Sequence, residues 1–289
     1  MKGIILAGGT GSRLFPITNG ISKQLIPIYD KPLIYYPLSV LMLAGIKEIM
    51  IITNPQHLES FESCLGDGSS FGISINYKEQ DEPRGLADAF IIGEEFIDDD
   101  KVCLILGDNI FWGHGFTNIL TEKSSIESGA TVFGYKVTNP SQFGVIEFDK
   151  NNKVLSVEEK PANPKSNFAI TGLYFFDNKV VDFAKSVTPS DRGELEITSI
   201  LDKYLKANLL DVELLGRGFT WFDTGTKEGL FESATFVKTM QNNQGFRIGC
   251  LEEIAWEKKW INNDQLILSA KQYEKTGYGK YLSNLLEKK

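Results

Sequence analysis

The first 110 residues alternate between short apolar strands and helical stretches, which leaves few folds open. Buried-type strands are expected over Ile4–Ala7, Glu48–Thr53, Ile73–Lys78 and Val102–Leu106. Helical patterns fall between them, over Pro37–Ala44, Gln56–Leu65 and Leu86–Phe96, the first opened by a proline at an expected first helical position. This spacing predicts right-handed crossovers and a parallel sheet with helices on both faces. Ligands of such sheets bind at the carboxyl ends of the strands.

From about Ala130 the strands crowd together, over Thr131–Val137, Val145–Phe148, Val154–Glu158 and Ile170–Phe176, with a turn at Asp149-Lys150-Asn151-Asn152. They predict an antiparallel insertion capping the parallel sheet. A helix over Glu194–Asn208, a strand over Leu209–Leu215 and a helix over Thr226–Gln241 follow. The tail from Glu252 to Leu286 reads as helical, interrupted near Asn262-Asn263 and Gly277. The expected class is therefore α/β and Rossmann-like, with a mostly parallel central sheet, an antiparallel insertion and C-terminal helices. Without repeats or Pro/Ser-rich linkers, residues 1–289 read as one domain.

Lys2 to Ala7 runs directly into Gly8-Gly9-Thr10-Gly11-Ser12-Arg13, with Lys23 ten residues on. An apolar strand ending in a small-residue turn brings bare backbone N–H groups up to a phosphate. The third glycine of the dinucleotide fingerprint is missing, since Leu14 holds its place, and no GxxxxGK[ST] occurs. A tight βα turn explains the glycines equally well, but Arg13 and Lys23 favour a polyphosphate.

The net charge of −8 argues against a nucleic-acid partner. It also means that any polyphosphate must meet locally gathered cations or a metal ion. Two histidines, with no HExxH, leave little for a histidine metal site or triad. Three scattered cysteines, Cys64, Cys103 and Cys250, suggest no disulfide framework and a reducing cytoplasm. No apolar run approaches membrane-spanning length, and no signal peptide precedes the first strand.

Asp108 ends the buried strand Leu104-Ile105-Leu106-Gly107, which places a carboxylate at the ligand-binding edge. It would repel phosphate unless a divalent cation lay between them, and Mg2+ takes one or two carboxylates plus phosphate oxygens. Capping of the next turn is the bland alternative. Asp223, in Trp221-Phe222-Asp223-Thr224-Gly225, is a second candidate ligand, unless the segment is only a helix N-cap. In Glu158-Glu159-Lys160-Pro161 the proline fixes the chain just after a cation, although alternating charges often mark a solvated edge.

These segments together resemble the sugar-phosphate nucleotidyltransferases. The likeness rests on Leu6–Leu14, Ser22-Lys23-Gln24-Leu25, Tyr29-Asp30-Lys31-Pro32, Gly107–Phe111, Gln142–Val145, Glu158–Pro161, Thr171-Gly172-Leu173-Tyr174 and Trp221–Gly225. It spans essentially the whole chain and points to the members that join dTTP to glucose 1-phosphate on the way to dTDP-rhamnose. The resemblance implies a nucleotide-binding half over about 1–130 and a sugar-binding and assembly half over about 131–289. It also implies homotetramers.

Residue by residue, the resemblance implies nucleotide contacts from Leu6, Gly8, Gly9, Thr10, Gly11, Arg13, Lys23 and Asp108, with Gln80 and Gly85 at the pyrimidine. Asp108 and Asp223 would hold Mg2+. Asn109, Gly144, Glu159, Lys160 and Thr171 would surround the sugar phosphate, and Arg13, Lys23 and Lys160 would be the catalytic cations. A second, regulatory nucleotide-sugar site would involve His114, Gly115, Arg217, Cys250 and Glu253, within Cys250–Trp256. Relatives often carry Arg where this chain has Glu257, and a carboxylate there would repel a diphosphate.

Three alternatives stay open at this level. A UTP- or CTP-dependent transferase would share the mechanism. A non-catalytic sugar-nucleotide sensor would be free to lose the cations and aspartates that are present here. A nicotinamide-dependent oxidoreductase would need a better glycine fingerprint.

Overall fold

The computed structural model describes residues 1–9 and 11–287. Thr10, expected in the phosphate loop, lies outside the described residues. The strands are β1 (Lys2–Ala7), β2 (Pro27–Ile28), β3 (Lys31–Pro32), β4 (Glu48–Thr53), β5 (Ser74–Glu79), β6 (Val102–Leu106) and β7 (Asn109–Gly113). The second half adds β8 (Ala130–Lys136), β9 (Gly144–Phe148), β10 (Val154–Glu159), β11 (Phe168–Phe176), β12 (Leu210–Leu215) and β13 (Phe219–Asp223).

Strands β6, β1, β4 and β5 pair in parallel, as the alternation predicts. The insertion does not form a separate cap. Instead β11 runs antiparallel beside β6, and β9, β10 and β8 extend from it, with β12 parallel to β8. The result is one nine-stranded mixed sheet. Two small ribbons stand apart, β2 with β3 and β7 with β13.

Period-2 alternation divides the core. Ile5, Ile49, Ile51, Cys103, Ile105, Leu173 and Phe175 face one side, where α1 (Tyr35–Leu43), α2 (Leu58–Leu65) and the C-terminal helices pack. Ile4, Met50, Ile52, Val102, Leu104 and Tyr174 face the other, against α3 (Asp88–Ile92), α4 (Glu94–Ile97) and two later helices. On the first face α5 (Phe116–Ser124) contributes Phe116 and Leu120. On the second, α6 (Val180–Lys185) and α7 (Ile197–Lys206) contribute Val180, Ile200, Leu201 and Tyr204.

A third cluster lies under the glycine loop, where Leu14, Ile28, Leu33 and Ile110 meet Leu230 and Val237 of α8 (Lys227–Gln244). Thr226 caps α8, accepting from the Gly229 amide at 3.0 Å. The tail forms α9 (Leu251–Glu257), α10 (Asn263–Gln272) and α11 (Gly277–Glu287). Asn262 and Gln265 close a capping box at the expected interruption.

Three helices differ from expectation. Helix α1 begins at Tyr35, so Pro37 is its third residue, still within the turn whose N–H groups have no intrahelical partner. The helix expected over Leu86–Phe96 divides at Gly93 into α3 and α4. Residues 194–196 are not helical. The Leu195 amide donates to the Arg84 carbonyl at 2.7 Å and its carbonyl accepts from Ala87, so this segment straps the two halves of the chain together. No helix among the described residues is long and apolar enough to cross a membrane.

Candidate active site

At the carboxyl ends of β1 and β6 lies a cleft of two compartments, about 430 and about 210 Å3. Arg13, Leu86, Leu106, Asp108, Lys160 and Glu194 line both, forming a common wall. The larger compartment is floored by Leu6, Gly8, Gly9 and Gly11 and reaches Gln80 and Gly85. The smaller is lined by Asn109, Gly144, Glu159, Trp221 and Asp223. A separate, larger hollow of about 930 Å3 between α9, α10 and α11 carries none of these residues.

The loop after β1 is shaped by two close approaches. Gly11 adopts φ 63° and a Cβ there would meet the Thr18 methyl at 2.9 Å, while the Thr18 hydroxyl donates to its carbonyl at 2.9 Å. A Cβ on Gly8 would lie 2.8 Å from Gln80 Oε1. Leu14, fully buried, anchors the following turn in the third cluster and leaves Arg13 exposed at the cleft. Gln80 is itself buried, and its Nε2 donates to Asp88 Oδ2 at 2.8 Å.

The two aspartates are brought together by the β7–β13 ribbon, in which Asn109 stands opposite Asp223. The Thr224 amide and hydroxyl both donate to the Asp108 carbonyl, at 3.1 and 2.8 Å. Lys23, nearly buried, donates to Asp108 Oδ2, and Asn109 Nδ2 donates to Oδ1 at 2.9 Å. Burial pushes the Asp108 carboxyl up, but the Lys23 charge and these hydrogen bonds outweigh it and hold it low. At Asp223 burial and the Asp108 charge together prevail over Lys23 and Arg13 and push its carboxyl up. The ribbon was not expected from sequence, where Asp223 read as a candidate metal ligand or as part of a helix N-cap.

Asn109 is a junction. Its Oδ1 accepts from Trp221 Nε1 at 2.6 Å and from the Gly172 amide at 3.1 Å, and the residue is 1% exposed. Its side chain therefore organises the wall of the smaller compartment. Glu159 accepts from the Thr198 hydroxyl at 3.3 Å and faces Lys160 at 3.9 Å and Arg192 at 3.7 Å. Burial, then repulsion from Glu196, pushes the Glu159 carboxyl up despite those cations. Lys160 has φ 40°, a left-handed conformation costing a non-glycine residue on the order of 1–3 kcal/mol. Its amide bonds to the Phe143 carbonyl at 3.1 Å.

Sequence reading missed three lining or supporting residues. Arg192 and Glu196 line the smaller compartment and are paired to each other at 2.8 Å. Asp88 supports Gln80 from α3. None belongs to a recognisable motif, although Arg192 and Glu196 pair four residues apart and Asp88 meets Gln80 eight residues before it.

Thr171 is a correction. Ile170, Gly172 and Tyr174 of β11 line the smaller compartment, Leu173 and Phe175 belong to the first core cluster, and the pairing of β11 with β8 shifts register between Ile170 and Tyr174, around Thr171. The Thr171 hydroxyl is buried with no hydrogen-bond partner among the described residues, and Thr171 lines neither compartment. Among the residues expected at a second site, His114, Gly115 and Arg217 adjoin the opposite end of the β7–β13 ribbon from the aspartates. Cys250 is 0% exposed in the core, so its thiol meets no ligand, and Glu253 accepts from Tyr281 at 2.6 Å.

A family model described as nucleotidyl transferase matches residues 2–240. Over 288 residues, the whole of both chains, the protein is 59% identical to a glucose-1-phosphate thymidylyltransferase of Neisseria meningitidis serogroup A. It is 51% identical, again over the whole of both chains, to the Mycolicibacterium smegmatis protein of that name. A Bacillus anthracis structure bearing the same name, solved with sucrose, aligns with a TM-score of 0.76 at 42% identity, covering 82% of this chain and 94% of that one. A UDP-glucose pyrophosphorylase bound to UDP-glucose aligns with a TM-score of 0.72 at 25% identity, covering 82% and 98%.

Proposed function

Since this chain belongs to the nucleotidyl transferase family, we propose that it transfers a thymidylyl group from dTTP to glucose 1-phosphate, giving dTDP-glucose and pyrophosphate. The observation that carries this reading is the common wall. A reaction that joins two phosphates needs two substrate compartments meeting at cations, and Arg13 and Lys160 line both.

In this reading the glycine loop, Arg13 and Lys23 hold the triphosphate, and Gln80 meets the pyrimidine edge, with Gly85 allowing close approach. Lys160 holds the sugar phosphate while Glu159, Asn109 and the Gly144 backbone meet sugar hydroxyls. The sugar-phosphate oxygen attacks the α-phosphorus in line and pyrophosphate leaves. Each unit-charge pair approaching to 5 Å is opposed by about 3 kcal/mol at an effective dielectric of 20. Positioned cations that offset this repulsion supply most of the catalysis. The attacking oxygen is already ionised, so no general base is needed.

The donor set fits Mg2+. Asp108 and Asp223 offer hard oxygens, and no histidine or cysteine lines either compartment. Both aspartates would hold the ion, which when bound neutralises phosphate charge. Lys23 pairs with Asp108 Oδ2 and offsets its charge.

We further place the chain in a homotetramer and in the cytoplasm. Phe231 and Leu268, 74% and 70% exposed, are large apolar side chains that subunit contacts would cover. The free cysteines fit a reducing compartment. Pyrophosphate release, measured with glucose 1-phosphate and each of dTTP, UTP and CTP, tests the reading. Turnover with dTTP supports it, and silence with dTTP overturns it.

A further inference from the structure

We propose that Asp88 sets which pyrimidines the cleft accepts, by holding the Gln80 amide in one orientation. The inference rests on the reading above, in which Gln80 meets the base. Gln80 follows β5 and its backbone amide continues the sheet, donating to the Thr53 carbonyl at 2.8 Å. Its side chain is free to choose which end of the amide to turn toward the cleft. The choice falls to Asp88, the first residue of α3, whose preceding residue Ala87 is tied to Leu195 at 3.0 Å.

A carboxylate only accepts hydrogen bonds, so the Gln80 nitrogen must face it, as the 2.8 Å contact from Nε2 to Oδ2 records. The reverse orientation would set oxygen against oxygen between two residues that are each 4% exposed. Oε1 is thereby turned toward Gly8 on the wall of the larger compartment. No hydrogen bond from a described residue engages it.

An acceptor fixed at that place reads the N3–H of thymine or uracil. Cytosine presents a bare N3, lone pair against lone pair, and leaves Oε1 unsatisfied. Asp88 touches no substrate in this account and is a positioning residue. It separates thymine and uracil from cytosine while leaving thymine and uracil undivided.

The test uses the full chain, with dTTP, UTP and CTP in turn and glucose 1-phosphate in excess. Asp88→Asn keeps the shape but supplies a donor, so the Gln80 amide can reverse. The expected result is a fall of about tenfold in the ratio of kcat/KM for dTTP over CTP, with the dTTP/UTP ratio unchanged. Asp88→Ala, which frees the amide without reversing it, gives a smaller fall in the same direction and serves if the first variant does not fold. Both readouts are ratios, so the fraction of folded protein cancels. Equal losses with all three nucleotides, in a wild-type background active on dTTP, overturn the inference and leave the function standing. A wild-type protein silent on dTTP overturns both.

Discussion

Asn109 stands opposite Asp223 across the β7–β13 ribbon, and this register sets Asp108, the residue before Asn109, beside Asp223. The two carboxylates come from segments more than 100 residues apart in sequence, yet each raises the cost of charging the other. A bound divalent cation would relieve that repulsion. Asp223→Asn should therefore raise the Mg2+ concentration for half-maximal pyrophosphate release and lower turnover by about 10²- to 10³-fold. An unchanged Mg2+ dependence would remove Asp223 from the metal site.

Lys160 combines a strained backbone with an accessible ammonium on the common wall. A chain holds a lysine at φ 40° only where the surroundings fix it, and here Pro161 follows and the Phe143 carbonyl holds the amide. Lys160→Ala should lower turnover by about two to three orders of magnitude at saturating substrates. Lys160→Arg, which keeps a charge, should recover part of it. Steady-state turnover close to wild type in the alanine variant would sink the assigned role.

Much of this site was legible in the sequence. Asp108 could be placed at a strand end because Leu104-Ile105-Leu106 is an unbroken apolar run. The glycine loop was recognisable from its cations. The ribbon was not, because β7 and β13 are only five residues each and pair through contacts more than 100 residues apart that no local pattern announces. Glu194–Glu196 has helix-forming composition, but pairing with Arg84 and Ala87 overrides that propensity. Thr171 could not be placed by pattern, because Ile170–Phe176 is apolar on both faces and β11 shifts register against β8 between Ile170 and Tyr174.

The buried Thr171 hydroxyl gives a test. The Thr171 hydroxyl is buried and unpartnered, a state that costs on the order of 1–3 kcal/mol. Thr171→Val keeps the branched shape and removes the orphaned oxygen. Its urea midpoint should be equal to or above that of the wild type, by up to about 1 kcal/mol, and the KM for glucose 1-phosphate should not move. A several-fold rise in that KM would return Thr171 to the sugar site.

Alkaline stability follows from four tyrosines. Tyr35, Tyr36, Tyr174 and Tyr204 are at most 7% exposed, and burial above all pushes their hydroxyls above the usual value of 10. Tyr36 donates to the Ile28 carbonyl at 2.7 Å and Tyr204 to Asp177 at 2.6 Å, bonds that require the proton. Below pH 10 both folded and unfolded chains keep these protons. Above it the unfolded chain loses them first, so the native state binds more protons and stability falls as pH rises. Each tyrosine contributes about 1.4 kcal/mol per pH unit, so these four alone cost about 5 kcal/mol per unit, and Tyr77, Tyr273, Tyr278 and Tyr281, whose hydroxyls burial also pushes up, add to it. Lys31 opposes them, since burial pulls its ammonium below 10.5 and its contribution improves as pH climbs to that value, but it is one group against eight tyrosines. With a total stability of about 5–15 kcal/mol, unfolding is expected within a few pH units above 10. Tyrosinate absorbance and far-ultraviolet circular dichroism should change together, and in Tyr204→Phe the stability should fall less steeply with pH, by about the 1.4 kcal/mol per unit that one tyrosine contributes. Smooth tyrosine ionisation near pH 10 without loss of structure would show that these hydroxyls are not held by the fold.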